Sequence, residues 1–139
     1  MAARILYIED YPIIQQIYLD VLRKQGYEVD VASDGKEALR KIKTVRYDLL
    51  LVDLLLPEIT GVEFLQIYKQ GGHKQDERTK VIVLTDFDGP EVLQQVKDLG
   101  IEDYWIKVNH TPYALAEKVA AVLSGKQTPH DNTSKLSGT

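Results

Sequence analysis

Four apolar runs in this chain each end on a residue that can do polar chemistry. "ILYI", residues 5–8, gives way to Glu9 and Asp10. "DLLLVD" ends at Asp53, "KVIVLT" at Thr85 and "DYWIK" at Lys107. Clustered carboxylates repel one another, which raises a pKa or recruits a cation. Oxygen ligands without thiolates suit a hard ion, Mg²⁺ or Mn²⁺. A carboxylate beside such an ion can attack phosphorus and form an aspartyl-phosphate. Lys107 and Thr85 have the charge and the hydrogen-bonding capacity to hold phosphoryl oxygens. Each residue also has a plainer explanation when taken singly. Asp53 can be a solvated strand-end acid. Glu9 and Asp10 can complement a helix N-terminus. Thr85 can cap a turn, and Lys107 can form a weak surface ion pair. Only their convergence in one crevice favours chemistry.

Convergence depends on the elements that carry these residues. Five strand-like runs alternate with five helical ones. Strands are expected at 5–8, 27–32, 48–53, 80–85 and 103–107. The first helix opens at Pro12, where a missing N–H costs nothing. Ile13, Ile14, Ile17, Val21 and Leu22 then recur at helical spacing up to Gly26. Asp34 with Glu37, and Thr60 with Glu63, have the spacing of capping boxes for the second and third helices. "QGGHKQDERT" is a polar connector. Pro90 opens the fourth helix, followed by Gly100, and Thr111 with Pro112 opens the fifth, which runs to about Leu123. "YEVDVA" alternates and suits an edge, whereas the first, third and fourth runs are continuously apolar and suit the interior.

Strict strand–helix alternation predicts an α/β fold, a five-stranded parallel sheet with five helices on both faces. The order 2-1-3-4-5 of a flavodoxin-like three-layer sandwich places the alternating strand at an edge. It also makes strands one and three neighbours. Ligands in such sheets bind at the carboxyl ends of the strands where the winding reverses. There Glu9, Asp10 and Asp53 meet, with Thr85 and Lys107 from the next strands.

Composition narrows the classes. The 139 residues suit one domain; residues 1–124 are expected to form it, and 125–139 to be a polar tail or linker without periodicity. The absence of cysteine excludes disulfides and thiol nucleophiles. A net charge of −4 argues against direct nucleic-acid binding by this domain. Neither a membrane span nor a signal peptide is evident, so a cytoplasmic protein without membrane association is expected.

"YIED", "VDLLLPEITG", "VIVLT" and "DYWIK", in this order, resemble the receiver domain of two-component response regulators, the chemotaxis-regulator-like fold. The resemblance covers about residues 3–123. It implies that Asp53 is the phospho-acceptor and that Asp10 is a direct Mg²⁺ ligand, with Glu9 acting through water. It implies that the Leu55 backbone carbonyl completes the protein's share of the coordination. Lys107 then pairs with the phosphoryl group, Thr85 moves inward to hydrogen-bond it, and Tyr104 is the aromatic switch that follows. The implied donor is a phosphohistidine on a sensor histidine kinase or phosphotransfer protein. The implied readout, and a possible receiver dimer, use the face of the fourth helix, fifth strand and fifth helix. Such a domain is not an enzyme beyond self-phosphorylation from donors and slow autodephosphorylation.

The sequence departs from the family at Val108, where proline usually follows the lysine, and at Asp86, where a small residue is usual. Leu55 and Phe87 put apolar groups where polar ones help hold an attacking water, which predicts a long-lived phosphoryl group. These departures keep a pseudo-receiver, a phosphorylation-independent binding module, as the alternative. A haloacid-dehalogenase-like phosphohydrolase wants an acid two residues after the nucleophile, and position 55 is leucine. A flavodoxin wants a phosphate-binding loop where "EDYP" stands.

Overall fold

The computed structural model describes residues 2–86, 89–101, 103–107 and 111–125. The strands are β1 (Arg4–Ile8), β2 (Glu28–Ala32), β3 (Leu49–Asp53), β4 (Lys80–Thr85) and β5 (Asp103–Ile106). Between and after them lie helices α1 (Pro12–Lys24), α2 (Gly35–Thr44), α3 (Gly61–Lys69), α4 (Pro90–Asp98) and α5 (Pro112–Leu123). All strand pairs are parallel, in the order β2-β1-β3-β4-β5. The expected topology is therefore present, with β1 and β3 adjacent at the reversal. Among the described residues no helix is long and apolar enough to cross a membrane. The expected tail lies outside the described residues beyond Gly125, as do Phe87 and Val108.

Alternation along the inner strands builds two cores. Ile5, Tyr7, Leu49, Leu51, Ile82 and Leu84 face α1 and α5, where they pack with Tyr18, Leu19, Leu22, Leu115 and Val119. Leu6, Ile8, Leu50, Val52 and Val83 face the other way, against Ala38, Ile42, Phe64, Leu65 and Val96 of α2, α3 and α4. A run buried on both faces needs no polar alternation, which is why "LLLV" reads as continuous leucine and valine.

Helix starts decide where the loops at the site begin. Thr60 and Glu63 form the reciprocal capping box expected of them, at 3.1 and 2.9 Å. At α2 the Asp34 side chain accepts from the Glu37 N–H at 2.8 Å. The Glu37 carboxylate, however, reaches Ser33 N rather than Asp34 N. The box there is displaced by one residue. The polar connector before β4 holds a buried residue, Gln75. Its Oε1 accepts from Tyr47 N at 2.7 Å, and its Nε2 donates to the carbonyls of Ile42 and Val45.

Candidate functional site

The acids reach the site by continuing the strand alternation. Glu9 follows Tyr7 and Asp53 follows Leu51, so both carboxylates extend the face that packs on α1 and α5. Glu9 is 2% and Asp53 3% exposed; such burial is tolerable only with partners. Lys107 supplies one. Its Nζ donates to Glu9 Oε1 at 2.9 Å and to Asp53 Oδ2 at 3.1 Å. Glu9 also accepts from the Tyr7 hydroxyl and from Tyr11 N, both at 3.3 Å. Asp53 Oδ1 accepts from Leu55 N at 2.9 Å.

Burial raises the Asp53 carboxyl; Lys107 opposes this and the Glu9 charge adds to it, leaving the group pushed up to about 7. Burial pulls the Lys107 ammonium down, but its bond to Glu9 and the charge of Asp53 outweigh that and hold it above the usual lysine value. Tyr7 is raised by burial first and then by Glu9, so its phenol stays protonated and donates.

The loop after β3 is anchored from inside. Leu54 and Leu56 are buried, while Leu55 between them is 51% exposed. Gly61 N donates back to the Leu54 carbonyl at 3.1 Å. A Cβ on Gly61 would strike the carbonyl oxygen of Asp53 and come within 2.6 Å of Leu54 Cα, so glycine is required by close approach. Glu58 turns the loop with φ of 63°, in the left-handed region.

A cleft of about 510 Å³ opens over these groups, lined by Glu9, Asp10, Tyr11, Ile14, Tyr18, Asp53, Leu55, Asp86 and Lys107. Oxygens of Glu9, Asp10 and Asp53 all lie within 4.8 Å of one another. An all-carboxylate set with an exposed Asp10 on the rim fits a hard divalent cation.

Thr85 does not line this cleft. It is buried at the end of β4 on the opposite sheet face, two residues after Val83, and lines a neighbouring groove with Leu54, Leu55, Thr60 and Val92. Tyr104 stands opposite Val83 in the β4–β5 register, so it shares a sheet face with Thr85. It borders a third groove, with Leu93, Val96, Lys97 and Ile101. The expected acids and Lys107 are thus together, and Thr85 and Tyr104 sit behind them. Sequence reasoning missed Tyr7 and the Leu55 amide. A lone phenol two residues before Glu9 in an apolar strand was the available signal for the first.

Residues 5–120 match the response regulator receiver domain. The chain belongs to that family. The receiver is 34% identical over 119 residues to the transcriptional regulatory protein TrcR of Mycobacterium tuberculosis, covering 84% of this chain and 42% of that protein. It is 31% identical over 118 residues to the CAI-1 autoinducer sensor kinase/phosphatase CqsS of Vibrio cholerae, covering 85% of this chain and 17% of the other. The chain therefore spans less than half the length of either relative. The receiver also superposes on a CheY-like response regulator receiver domain protein from Methanospirillum hungatei with a TM-score of 0.79, at 28% identity. That match covers 90% of this chain and 96% of the other. The chain is a two-component receiver domain, a signalling domain rather than a metabolic enzyme.

Proposed function

We propose that this receiver accepts a phosphoryl group on Asp53 from a phosphohistidine of a sensor histidine kinase or phosphotransfer protein. Phosphorylation then switches a protein-interaction surface. The observation that carries the reading is the buried Asp53 carboxylate, held by Lys107 on the floor of a cleft shared with Glu9 and Asp10. That one relative is named a sensor kinase/phosphatase and another a transcriptional regulatory protein supports a donor and an output of these kinds.

Asp10, Asp53 and the Leu55 carbonyl are the residues to hold Mg²⁺ or Mn²⁺ directly. Glu9 acts through water, since its oxygens are already engaged by Lys107, Tyr7 and Tyr11. The cation, when bound, offsets the repulsion between Asp53 and an incoming phosphoryl group. An Asp53 oxygen attacks phosphorus in line, the P–N bond breaks, and the ring, protonated on its other nitrogen, leaves as neutral imidazole with the electron pair. Lys107 moves from the Asp53 carboxylate to a phosphoryl oxygen. Thr85 hydrogen-bonds another from the opposite sheet face, and Tyr104 follows on that face. The switch is a population shift, driven by the difference in phosphoryl binding between two arrangements. Its readout, including a possible receiver dimer, uses α4, β5 and α5.

The test is incubation with Mg²⁺ and a small phosphodonor, read by intact mass. Wild type is expected to gain one phosphoryl group and Asp53→Asn none. A wild type without adduct assigns the domain to phosphorylation-independent binding. An adduct on Asp53→Asn moves the acceptor elsewhere. Leu55 presents an apolar side chain at the cleft, which disfavours an ordered attacking water. Leu55→Asn is therefore expected to shorten the phosphoryl lifetime severalfold, and an unchanged lifetime removes that role.

A further inference from the structure

Asp86 is a fourth carboxylate on the cleft, directly after Thr85, and the machinery above leaves it without a task. Its Oδ1 lies 3.9 Å from Lys107 Nζ, beyond hydrogen-bond length, and its side chain is 47% exposed. Lys107 is already committed to Glu9 and Asp53 at 2.9 and 3.1 Å. At this longer distance, with Asp86 open to water, the pair is the weakest of the three that Lys107 makes with carboxylates among the described residues. Asp86 thus stands at the solvent side of the cleft as a charge that Lys107, shared with two nearer acids, offsets only in part. Among the described residues four carboxylates face one ammonium there, and Asp86 is the exposed one nearest the lysine that must receive phosphoryl oxygens.

We propose that Asp86 is a specificity-determining residue that selects phosphodonors by charge, disfavouring small, doubly anionic phosphodonors that enter from solvent. This rests on Asp53 being the phospho-acceptor. Acetyl phosphate arrives as a free dianion. The Asp53 oxygen bonds to phosphorus, the P–O bond breaks, and acetate leaves with the electron pair. Phosphoramidate arrives at neutral pH with its nitrogen protonated and a single net negative charge. The P–N bond breaks and ammonia leaves, with no further proton needed. A phosphohistidine on a protein is brought in by a whole interface, so one carboxylate weighs less against it. Repulsion between one fixed charge and a dianion about 6 Å away, through water and salt, slows entry roughly threefold to tenfold. The same charge acts about half as strongly, in free energy, on a monoanion.

The experiment compares wild type, Asp86→Asn and Asp86→Glu as full chains with Mg²⁺. Initial phosphorylation rates by intact mass are measured with acetyl phosphate and with phosphoramidate, at low and high ionic strength. Asp86→Asn is expected to raise the acetyl phosphate rate about threefold to tenfold at low salt. The phosphoramidate rate should rise about half as far on a logarithmic scale, and the gain should shrink as salt is added. Asp86→Glu keeps the charge and should track wild type. Equal gains with both donors, or an Asp86→Glu variant that behaves like Asp86→Asn, would overturn charge selection in favour of side-chain shape. An unchanged acetyl phosphate rate overturns it outright. If no variant takes a phosphoryl group from either donor, the acceptor reading fails first and this one with it. Adducts at equal rates in all variants defeat only the role of Asp86.

Discussion

Glu9 and Lys107 are joined Oε1 to Nζ at 2.9 Å, although one follows β1 and the other follows β5. In the sheet those strands are three spacings apart, about 14 Å. The lysine therefore reaches across the carboxyl ends of β4 and β3, and on the way it meets Asp53. Its removal leaves two buried acids facing each other. Lys107→Ala is expected to lose about 2–4 kcal/mol near pH 8. The loss should be smaller near pH 5, where one carboxyl can take up a proton. Urea unfolding at the two pH values checks this, and an equal loss at both would show that the lysine stem, not its charge, matters.

The raised Asp53 pKa has a consequence for stability in chelator. The unfolded chain releases this proton near the ordinary carboxylate value, whereas the folded protein keeps it until about 7. Between those values the folded state binds more protons, so stability falls as pH rises through the window. Asp53→Asn should therefore melt above wild type beyond pH 7, by roughly 5–10 °C, and the gap should close towards pH 4. Added Mg²⁺ should narrow the gap from the wild-type side, since only wild type keeps the full ligand set. Scanning calorimetry with and without chelator reads both effects. A variant no more stable than wild type at high pH contradicts the raised value.

Gly61 is a steric requirement of the Asp53 backbone rather than of its own helix. A methyl there meets backbone, at Asp53 and Leu54, which has no rotamer to yield. Gly61→Ala is expected to cost about 1–3 kcal/mol. By displacing Asp53 it should slow phosphoryl uptake at least tenfold. Chemical denaturation and initial rates by intact mass measure the two effects. Full-rate uptake would show that the loop can move aside.

Gln75 predicts a stability effect without a functional one. Its side chain satisfies one buried N–H and two carbonyls far from the cleft. Gln75→Ala strips all of them, and a loss of about 2–4 kcal/mol is expected in urea unfolding. Phosphorylation rates below the melting range should stay within about twofold of wild type. A rate change larger than that would tie the connector to the site.

Much of this was legible because the fold repeats one simple signal. Apolar runs ended on Glu9, Asp53, Thr85 and Lys107, and strand alternation with helices then fixed which ends meet. What stayed hidden has a physical cause in each case. Gln75 sat in a connector whose composition is polar throughout, and nothing local distinguishes a glutamine that turns inward. The sheet face of Thr85 follows from register, so the strand-end pattern grouped it with acids that point the other way. Tyr7 looked like core, and it is core; only its hydroxyl reaches Glu9. At α2 the Glu37 carboxylate takes Ser33 N rather than Asp34 N, a choice between adjacent amides that spacing does not encode.

The bond between Glu9 and Lys107 spans 98 residues of sequence. Contacts of such separation form late, after the intervening loop has been closed. As the chain leaves the ribosome, Glu9, Asp10 and Asp53 emerge before the ammonium that offsets their repulsion. Until β5 is added, the buried Glu9 and Asp53 carboxylates lack the ammonium they share in the complete sheet. Completion of β5 brings in Lys107, which offsets that repulsion as it bonds both acids. The cleft is complete only once β5 is in place, because Lys107 follows that strand.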